Sequence, residues 1–251
     1  METLTSRKYW EAYYKSSSIE QNEIIRICRK YDGLFDVLVA SCNEPPETII
    51  EIGAYPGRFL AYLSSKYLLK ATSLDFNSDK TKIIDSFDAM DGSILKEIIQ
   101  ADFLEYEPTQ QYDLVLSNGF IEHFVNYDEV LDQHTKYLKP GGAILIMIPN
   151  KRYLRKYYGL LVDRTNLRAH NLKCMKIKVF RDFASRNGLD IEKLSYYGGF
   201  AYQVHQKLNF LQKGFYKVIR SLSKKLNPFL ELHPSPFYSA SIIAIFHKPN
   251  V

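Results

Sequence analysis

The 251-residue sequence predicts an α/β fold: a doubly wound, mostly parallel seven-stranded sheet with an antiparallel C-terminal strand, helices on both faces and an N-terminal helical cap. Three observations carry this. Short, β-branched apolar runs alternate with amphipathic segments, the pattern of strands covered on both faces and joined by crossover helices. A glycine-bearing turn follows the first run directly and opens a helical segment. A last run rich in Ile and Ala suits an antiparallel strand slotted into the sheet.

Taken in order, residues 1–45 form the cap. An aromatic stretch, Tyr9-Trp10-Glu11-Ala12-Tyr13-Tyr14, precedes Ile24, Ile27, Leu34 and Leu38 at helical spacing, and Asn43-Glu44-Pro45-Pro46 breaks the chain. The main domain, 46–251, then lays out strands at Thr48-Ile49-Ile50-Glu51-Ile52, Ala71-Thr72-Ser73-Leu74, Ile98-Ile99-Gln100-Ala101, Asp113-Leu114-Val115-Leu116 and Ala143-Ile144-Leu145-Ile146-Met147-Ile148. Helices are expected over 58–69 and 127–138. Lys139-Pro140-Gly141-Gly142 reads as a helix stop followed by a turn. Runs at 189–197 and 238–247 supply two further strands, with insertions at about 151–173 and 199–237 on the substrate side.

Composition narrows the class. Hydrophobic content of 46% and charged content of 24% are those of a globular chain. No apolar run approaches the ~20 residues that span a bilayer, and the first residues lack the apolar core of a signal peptide, so a cytoplasmic protein is expected. Cys28, Cys42 and Cys174 are widely spaced, which fits buried thiols rather than a disulfide framework or zinc site. Charge is split. From residue 151 onward there are 19 Lys and Arg against 5 Asp and Glu, or +14, while residues 1–150 hold 14 against 23, or −9. A basic C-terminal half points to an anionic partner; a solvated basic surface is the plainer reading.

Ligands of a doubly wound sheet sit beyond the C-terminal strand ends, near the switch in strand order. There the first strand runs into Glu51-Ile52-Gly53-Ala54-Tyr55-Pro56-Gly57-Arg58-Phe59, and Asp75 ends the next strand 22 positions after Gly53. That spacing suits a carboxylate that accepts from both ribose hydroxyls; the competing reading is a helix cap near Ser78. A dinucleotide fold wants a second glycine where Tyr55 stands, for close approach to a pyrophosphate. S-adenosylmethionine has no pyrophosphate and needs none.

From about residue 46 onward the chain resembles the class I, Rossmann-like S-adenosylmethionine-dependent methyltransferases. The likeness rests on Glu51-x-Gly53-x-x-x-Gly57, Asp75, Ala101-Asp102-Phe103, Tyr112-Asp113-Leu114-Val115 running to Glu122-His123, and Leu138-Lys139-Pro140-Gly141-Gly142 in that order. Tyr55-Pro56 departs from the Gly or Cys that many members carry. The resemblance implies that the glycine loop, with Ala54 and Tyr55, wraps the methionyl end of the cofactor, with Glu51 and Gly53 near its amino group. It places Asp75, followed by Phe76, on the ribose, and Asp102 with Phe103 at the adenine. Ser117, Asn118 and Gly119 would lie on the methionine moiety. Tyr9, Trp10, Tyr13 and Tyr14 are suited to close over a sulfonium cation, and equally to anchor the first helix.

Transfer to a hydroxyl requires removal of its proton. His123 is the candidate base and Glu122 a second; His170 is a possible substrate contact. Arg152 and Arg155, among Lys151, Lys156, Arg164 and Arg168, could grip phosphate or carboxylate. Residues 202–230 place Leu208, Leu211, Phe215, Ile219, Leu222 and Leu226 at helical spacing among lysines and arginines. Such a helix is a lid, a membrane-surface element or a helix packed on the core with a solvated basic face. Ser117-Asn118-Gly119-Phe120 lacks the Asn/Asp-Pro-Pro-aromatic motif of base amine methylation. No Cys is placed for cytosine-C5 chemistry, and no carboxylate cluster suggests a metal. The expectation is a metal-free O-methyltransferase (or N-) acting on a small anionic acceptor, such as a nucleotide-linked or lipid-linked sugar or a quinone precursor. DNA is not expected. RNA methylation and a catalytically inactive cofactor-binding partner subunit are the alternatives.

Overall fold

The computed structural model describes residues 2–14, 19–77 and 79–250. Strands β1 (Thr48–Ile52), β2 (Lys70–Asp75), β3 (Ile94–Gln100), β4 (Tyr112–Asn118), β5 (Leu138–Pro149), β6 (Asp190–Tyr197) and β7 (Ser241–His247) form one sheet in the order β3-β2-β1-β4-β5-β7-β6. β1 to β5 pair in parallel, and β7 lies antiparallel between β5 and β6. The doubly wound sheet with its inserted antiparallel strand is the fold the sequence predicts.

Alternation along the central strands explains why both faces are covered. Ile50, Ile52, Val115, Ile144, Ile146 and Ile148 point to one side, where α6 (Tyr127–His134) and α9 (Ile177–Asn187) bury them. Ile49, Leu114, Leu116, Leu145, Met147, Ile243 and Ile245 point to the other, against α2 (Gln21–Cys28), α3 (Asp32–Ala40), α4 (Arg58–Tyr67) and α5 (Thr81–Asp88). Thus α2 and α3 belong to a helical layer of the sheet. Of residues 1–45, the segment around α1 (Arg7–Tyr14) lies over the strand ends, and Ile27 of α2 borders the glycine loop beside it.

One boundary differs from the sequence reading. The helix expected over 127–138 stops at His134 with a single tight turn to Tyr137, and Lys139-Pro140-Gly141-Gly142 runs on as the start of β5. Hydrogen bonds from Asn43 N and Lys248 N to the carbonyls of Gly141 and Gly142, and from Gly141 N to Lys248 O, hold that segment extended. The register against β4 breaks between Tyr112 and Leu114 to absorb it.

Beyond the strand ends lie α7 (Leu154–Val162), α8 (Arg164–Arg168) and α10 (Phe210–Leu232). A capping box starts α10: Asn209 accepts from Gln212 N and Gln212 Oε1 accepts from Asn209 N. Its sequence is amphipathic, yet the helix does not dock through its apolar face. Gln212, Tyr216, Ile219, Ser223 and Asn227 face the body. Gln212 Nε2 donates to Leu161 O at 2.7 Å, and Asn227 exchanges two hydrogen bonds with the backbone of Phe200. Leu211, Phe215, Val218, Leu222, Leu226 and Phe229 share one face by the i, i+3/i+4 spacing and are exposed, as are Leu154, Tyr157 and Leu161 of neighbouring α7. Lys213, Lys217, Arg220 and Lys224 line a third face. The reading as a helix packed through its apolar stripe is therefore corrected.

This orientation has a stability consequence. Leu145→Ala, in the buried core, should lower the unfolding free energy by about 2–5 kcal/mol, whereas Leu222→Ser should change it by less than about 0.5 kcal/mol. Urea denaturation of both variants checks the contrast.

Candidate active site

The site begins where β1 must turn under a neighbouring ring. Gly53 has φ +72°, and a Cβ there would lie 2.7 Å from the Phe120 ring, so glycine is required for conformation and for space. Gly57, at φ +91°, precedes α4, and a Cβ would come 3.2 Å from the Ile83 backbone. The loop between them is tied to β2: Gly53 N and Ala54 N donate to Leu74 O, and Tyr55 N donates to Asp75 Oδ2 at 3.1 Å. Asp75 Oδ1 accepts from Asn77 N at 2.8 Å. The helix after β2 begins only at Thr81, so Asp75 does not cap it. The Tyr55–Pro56 bond is cis. Tyr55 donates its hydroxyl to Asp79 and sets its ring 5.3 Å from that of Tyr14, joining the loop to α1.

A cavity of about 510 Å³ opens at the ends of β1, β2, β3 and β4, within the size range of a nucleoside ligand site. Asp75 and Phe76 form one side, Asp102 and Phe103 another, and Gly53, Asn118 and Gly119 the floor. The roof is residues 3–14. Leu4 N donates to His123 O, Thr3 bridges Phe124, and Trp10 Nε1 donates to Thr5 Oγ1, so the N-terminal segment is bonded directly onto the site wall. Trp10 and Tyr14 line the cavity and stack on each other. An adjoining recess of about 240 Å³ runs along the glycine loop past Glu51, Ala54 and Arg58. Burial raises the Glu51 carboxyl well above its ordinary range despite a hydrogen bond from Leu60 N. Glu51 and Arg58 both border that recess, a hydrogen-bonding carboxyl on one side and a guanidinium on the other. Arg58 follows the second glycine directly, and its place in the recess was not foreseen from the sequence.

Other expected residues stand elsewhere. Ser117 lines neither space; its Oγ hydrogen-bonds buried His134 Nε2 at 3.1 Å, because β4 turns that side chain into the core. Gly57 shapes the start of α4 without lining either space. Arg152 turns to the Met175 carbonyl and stacks on Tyr153, and Arg155 donates to Ala240 O; neither reaches the cavity. Burial lowers the Arg155 guanidinium to about 10. His123 does line the cavity, with its ring 4.7 Å from Trp10 and 4.6 Å from His170. Glu122 lies behind it, 1% exposed.

Around these residues is a buried polar cluster that sequence reasoning did not assemble. Burial raises Glu122 to about 8 and lowers His123 to about 4, His170 to about 2 and Lys151 to about 8. Nearby, Asp163 accepts from Asn166 and pairs with His205 at 3.0 Å. Those bonds outweigh burial and hold its carboxyl below the ordinary range. Tyr13 stacks on His205 from the roof.

With this geometry in place, comparison with known proteins is decisive at the family level. Residues 22–194, more than half the chain, match the family described as a methyltransferase domain. The chain belongs to that family. The cavity's glycine cradle, acidic rim and aromatic roof fit S-adenosylmethionine as the methyl donor of such a domain. Among curated proteins, a mitochondrial ubiquinone biosynthesis O-methyltransferase of Dictyostelium discoideum is 32% identical over 42% of this chain and 36% of its own length. A malonyl-[acyl-carrier protein] O-methyltransferase of Ilyobacter polytropus is 32% identical over 41% of this chain and 39% of its own. The chain thus spans little more than a third of the length of these relatives. A solved S-adenosylmethionine-dependent methyltransferase from Archaeoglobus fulgidus shares the fold, with a TM-score of 0.55 and 19% identity over 96% of this chain and 99% of that one.

The cavity makes Asp75 the side chain most sensitive to change. Asp75→Ala should weaken S-adenosylhomocysteine binding at least about tenfold, the loss of one or two charge-assisted hydrogen bonds. Calorimetric titration of wild type and variant measures it.

Proposed function

We propose that this methyltransferase acts on an oxygen of a small anionic acceptor carried at a membrane surface, such as a lipid-linked sugar or a quinone precursor. The observation that carries the reading is the outward apolar stripe of α10 and α7, with basic residues beside it, on the side of the molecule where Lys151, His170 and Asp163 gather. Among the described residues, no helix is long and apolar enough to cross a membrane, so such contact would be peripheral. The two curated relatives are both named O-methyltransferases, one of them in ubiquinone biosynthesis.

S-Adenosylmethionine supplies an electrophilic methyl group on a cationic sulfur. The protein's part is to position the acceptor and exclude water. Asp75 and Asp102 edge a negative cavity, and Trp10 and Tyr14 offer aromatic faces to a cation. His123 donates a hydrogen bond from Nδ1–H to Ala169 O at 2.7 Å, which leaves a lone pair on Nε2 to receive the acceptor's proton. Glu122 lies beside that atom, at 3.7 Å.

Incubation with labelled S-adenosylmethionine and a cell extract should place label in the lipid-soluble or anionic small-molecule fraction. Label confined to RNA would overturn the acceptor class. His123→Ala should lower kcat by about 10²–10⁴-fold while S-adenosylhomocysteine still binds; a protein without catalysis would transfer no label in either form.

The membrane reading has its own test. The protein should sediment with vesicles containing phosphatidylglycerol more strongly than with pure phosphatidylcholine. Reversal of Lys217 and Lys224 to Glu should reduce that binding, each basic residue being worth ~1 kcal/mol near an anionic surface. Leu222→Ser with Phe229→Ser should do likewise. Self-association through the stripe, without vesicle binding, would count against it.

A further inference from the structure

Glu122, His123 and His170 each bring one ligand atom into a group whose members all lie within 4.8 Å of one another. The fold has fixed which histidine atoms are available. His123 Nδ1 meets Ala169 O at 2.7 Å, and His170 Nδ1 meets Asn166 O at 2.6 Å. A carbonyl only accepts, so each Nδ1 carries the proton and each Nε2 holds a lone pair. Glu122 Oε1 stands 3.7 Å from His123 Nε2, beyond hydrogen-bond range, and Oε2 has no hydrogen-bond partner among the described residues. The Glu122 carboxyl and the two imidazoles, each with a lone pair on Nε2, are thus gathered in a largely buried group with no hydrogen bond among them in the structure. Such an arrangement is costly unless a cation or proton sits among them.

We propose that Glu122, His123 and His170 bind a divalent transition-metal ion, such as Zn²⁺, Mn²⁺ or Fe²⁺, whose open positions face a hydroxyl of the methyl acceptor. Two imidazoles and one carboxylate are a ligand set for these ions, with positions left for oxygen. Histidines that bind metal through one nitrogen commonly give the other to a carbonyl or carboxylate, and both imidazoles here are already so pinned. His123 also lines the cofactor cavity, which sets the ion at the boundary between the methyl donor and the acceptor side.

Lys151 is the competing cation. Its charge acts on Glu122, His123 and His170, yet its Nζ makes no hydrogen bond among the described residues.

What the ion does rests on the O-methyltransferase reading; that it binds does not. With the ion present, His123 is a ligand in place of the base, and the acceptor's acidified hydroxyl gives up its proton to solvent as the acceptor binds, before water is excluded. Its oxygen then forms the bond to the methyl carbon as the S–CH₃ pair withdraws onto sulfur, leaving a neutral thioether.

The experiment uses chelator-treated protein saturated with S-adenosylhomocysteine, titrated with Zn²⁺ by calorimetry and with Co²⁺ by visible absorption. Wild type should bind a single ion per chain and give Co²⁺ ligand-field bands. Glu122→Gln and His170→Ala should each lower affinity by at least about 10–100-fold, with S-adenosylhomocysteine binding retained as the check that each variant is folded. The proposal is overturned if wild type binds neither ion, if both variants bind as wild type does, or if binding appears only in Lys151→Met. Metal affinity is read without methyl transfer, so failure of the acceptor reading would leave this result standing, and loss of S-adenosylhomocysteine binding would expose failure of the cofactor reading separately.

Discussion

The Asp75 carboxylate is the interaction on which the site depends. Through Tyr55 N and Asn77 N it holds the turn after β1 against the end of β2, and that turn is possible only because Gly53 passes beneath the Phe120 ring. The two strand ends are thereby fixed relative to each other, and the cavity is the space they leave at the reversal of strand order between β1 and β4. A carboxylate that organises its own loop is also prepositioned toward a ligand, so little ordering remains to be done on binding. Tyr55 extends the same tie to the roof through Tyr14. This gives a structural role to the residue at which the loop departs from the common pattern.

Much of this was legible because it is local. A strand, a glycine turn and an acidic residue at the next strand end are set by short-range geometry, and each leaves a mark at fixed spacing. The aromatic rings at Trp10 and Tyr14 were legible as a group, though only the fold shows that residues 2–4 pair with the His123–Val125 segment. What could not be read depends on distant partners. Ser117 looked like a ligand contact from its place after β4, but its outcome is decided by His134, on a helix the sequence does not visibly link to it. Glu122 and His170 are separated by α6, β5, α7 and α8, so their meeting in one cluster leaves no mark at fixed spacing. Nor does the sequence show that the two imidazoles have their tautomers set by the carbonyls of Ala169 and Asn166.

The direction in which α10 faces is a different kind of failure. Its helical period was visible, and the periodic apolar positions were the natural candidates for the core. The structure seats it instead through side-chain amides on backbone groups, chiefly Gln212 and Asn227, with Gly199 leaving room for the latter. Hydrophobic periodicity says that a face avoids water; it does not say which surface supplies the shelter.

These features meet in α7. Its outward side carries Leu154, Tyr157 and Leu161, continuous with the stripe on α10, while Tyr158 and Val162 turn inward and Asp163 follows at its end, beside His205. One helix thickness, ~10 Å, therefore separates an exposed apolar surface from the buried polar cluster at His123 and His170. An acceptor with an apolar tail and an anionic head would meet the same order of environments on passing from a bilayer into the protein: hydrocarbon-compatible side chains, a basic margin, then buried ligating groups. The +14 charge from residue 151 onward and the −9 charge of residues 1–150 follow the same division, the basic part carrying α7 and α10 and the acidic part carrying the glycine loop, Asp75 and Asp102.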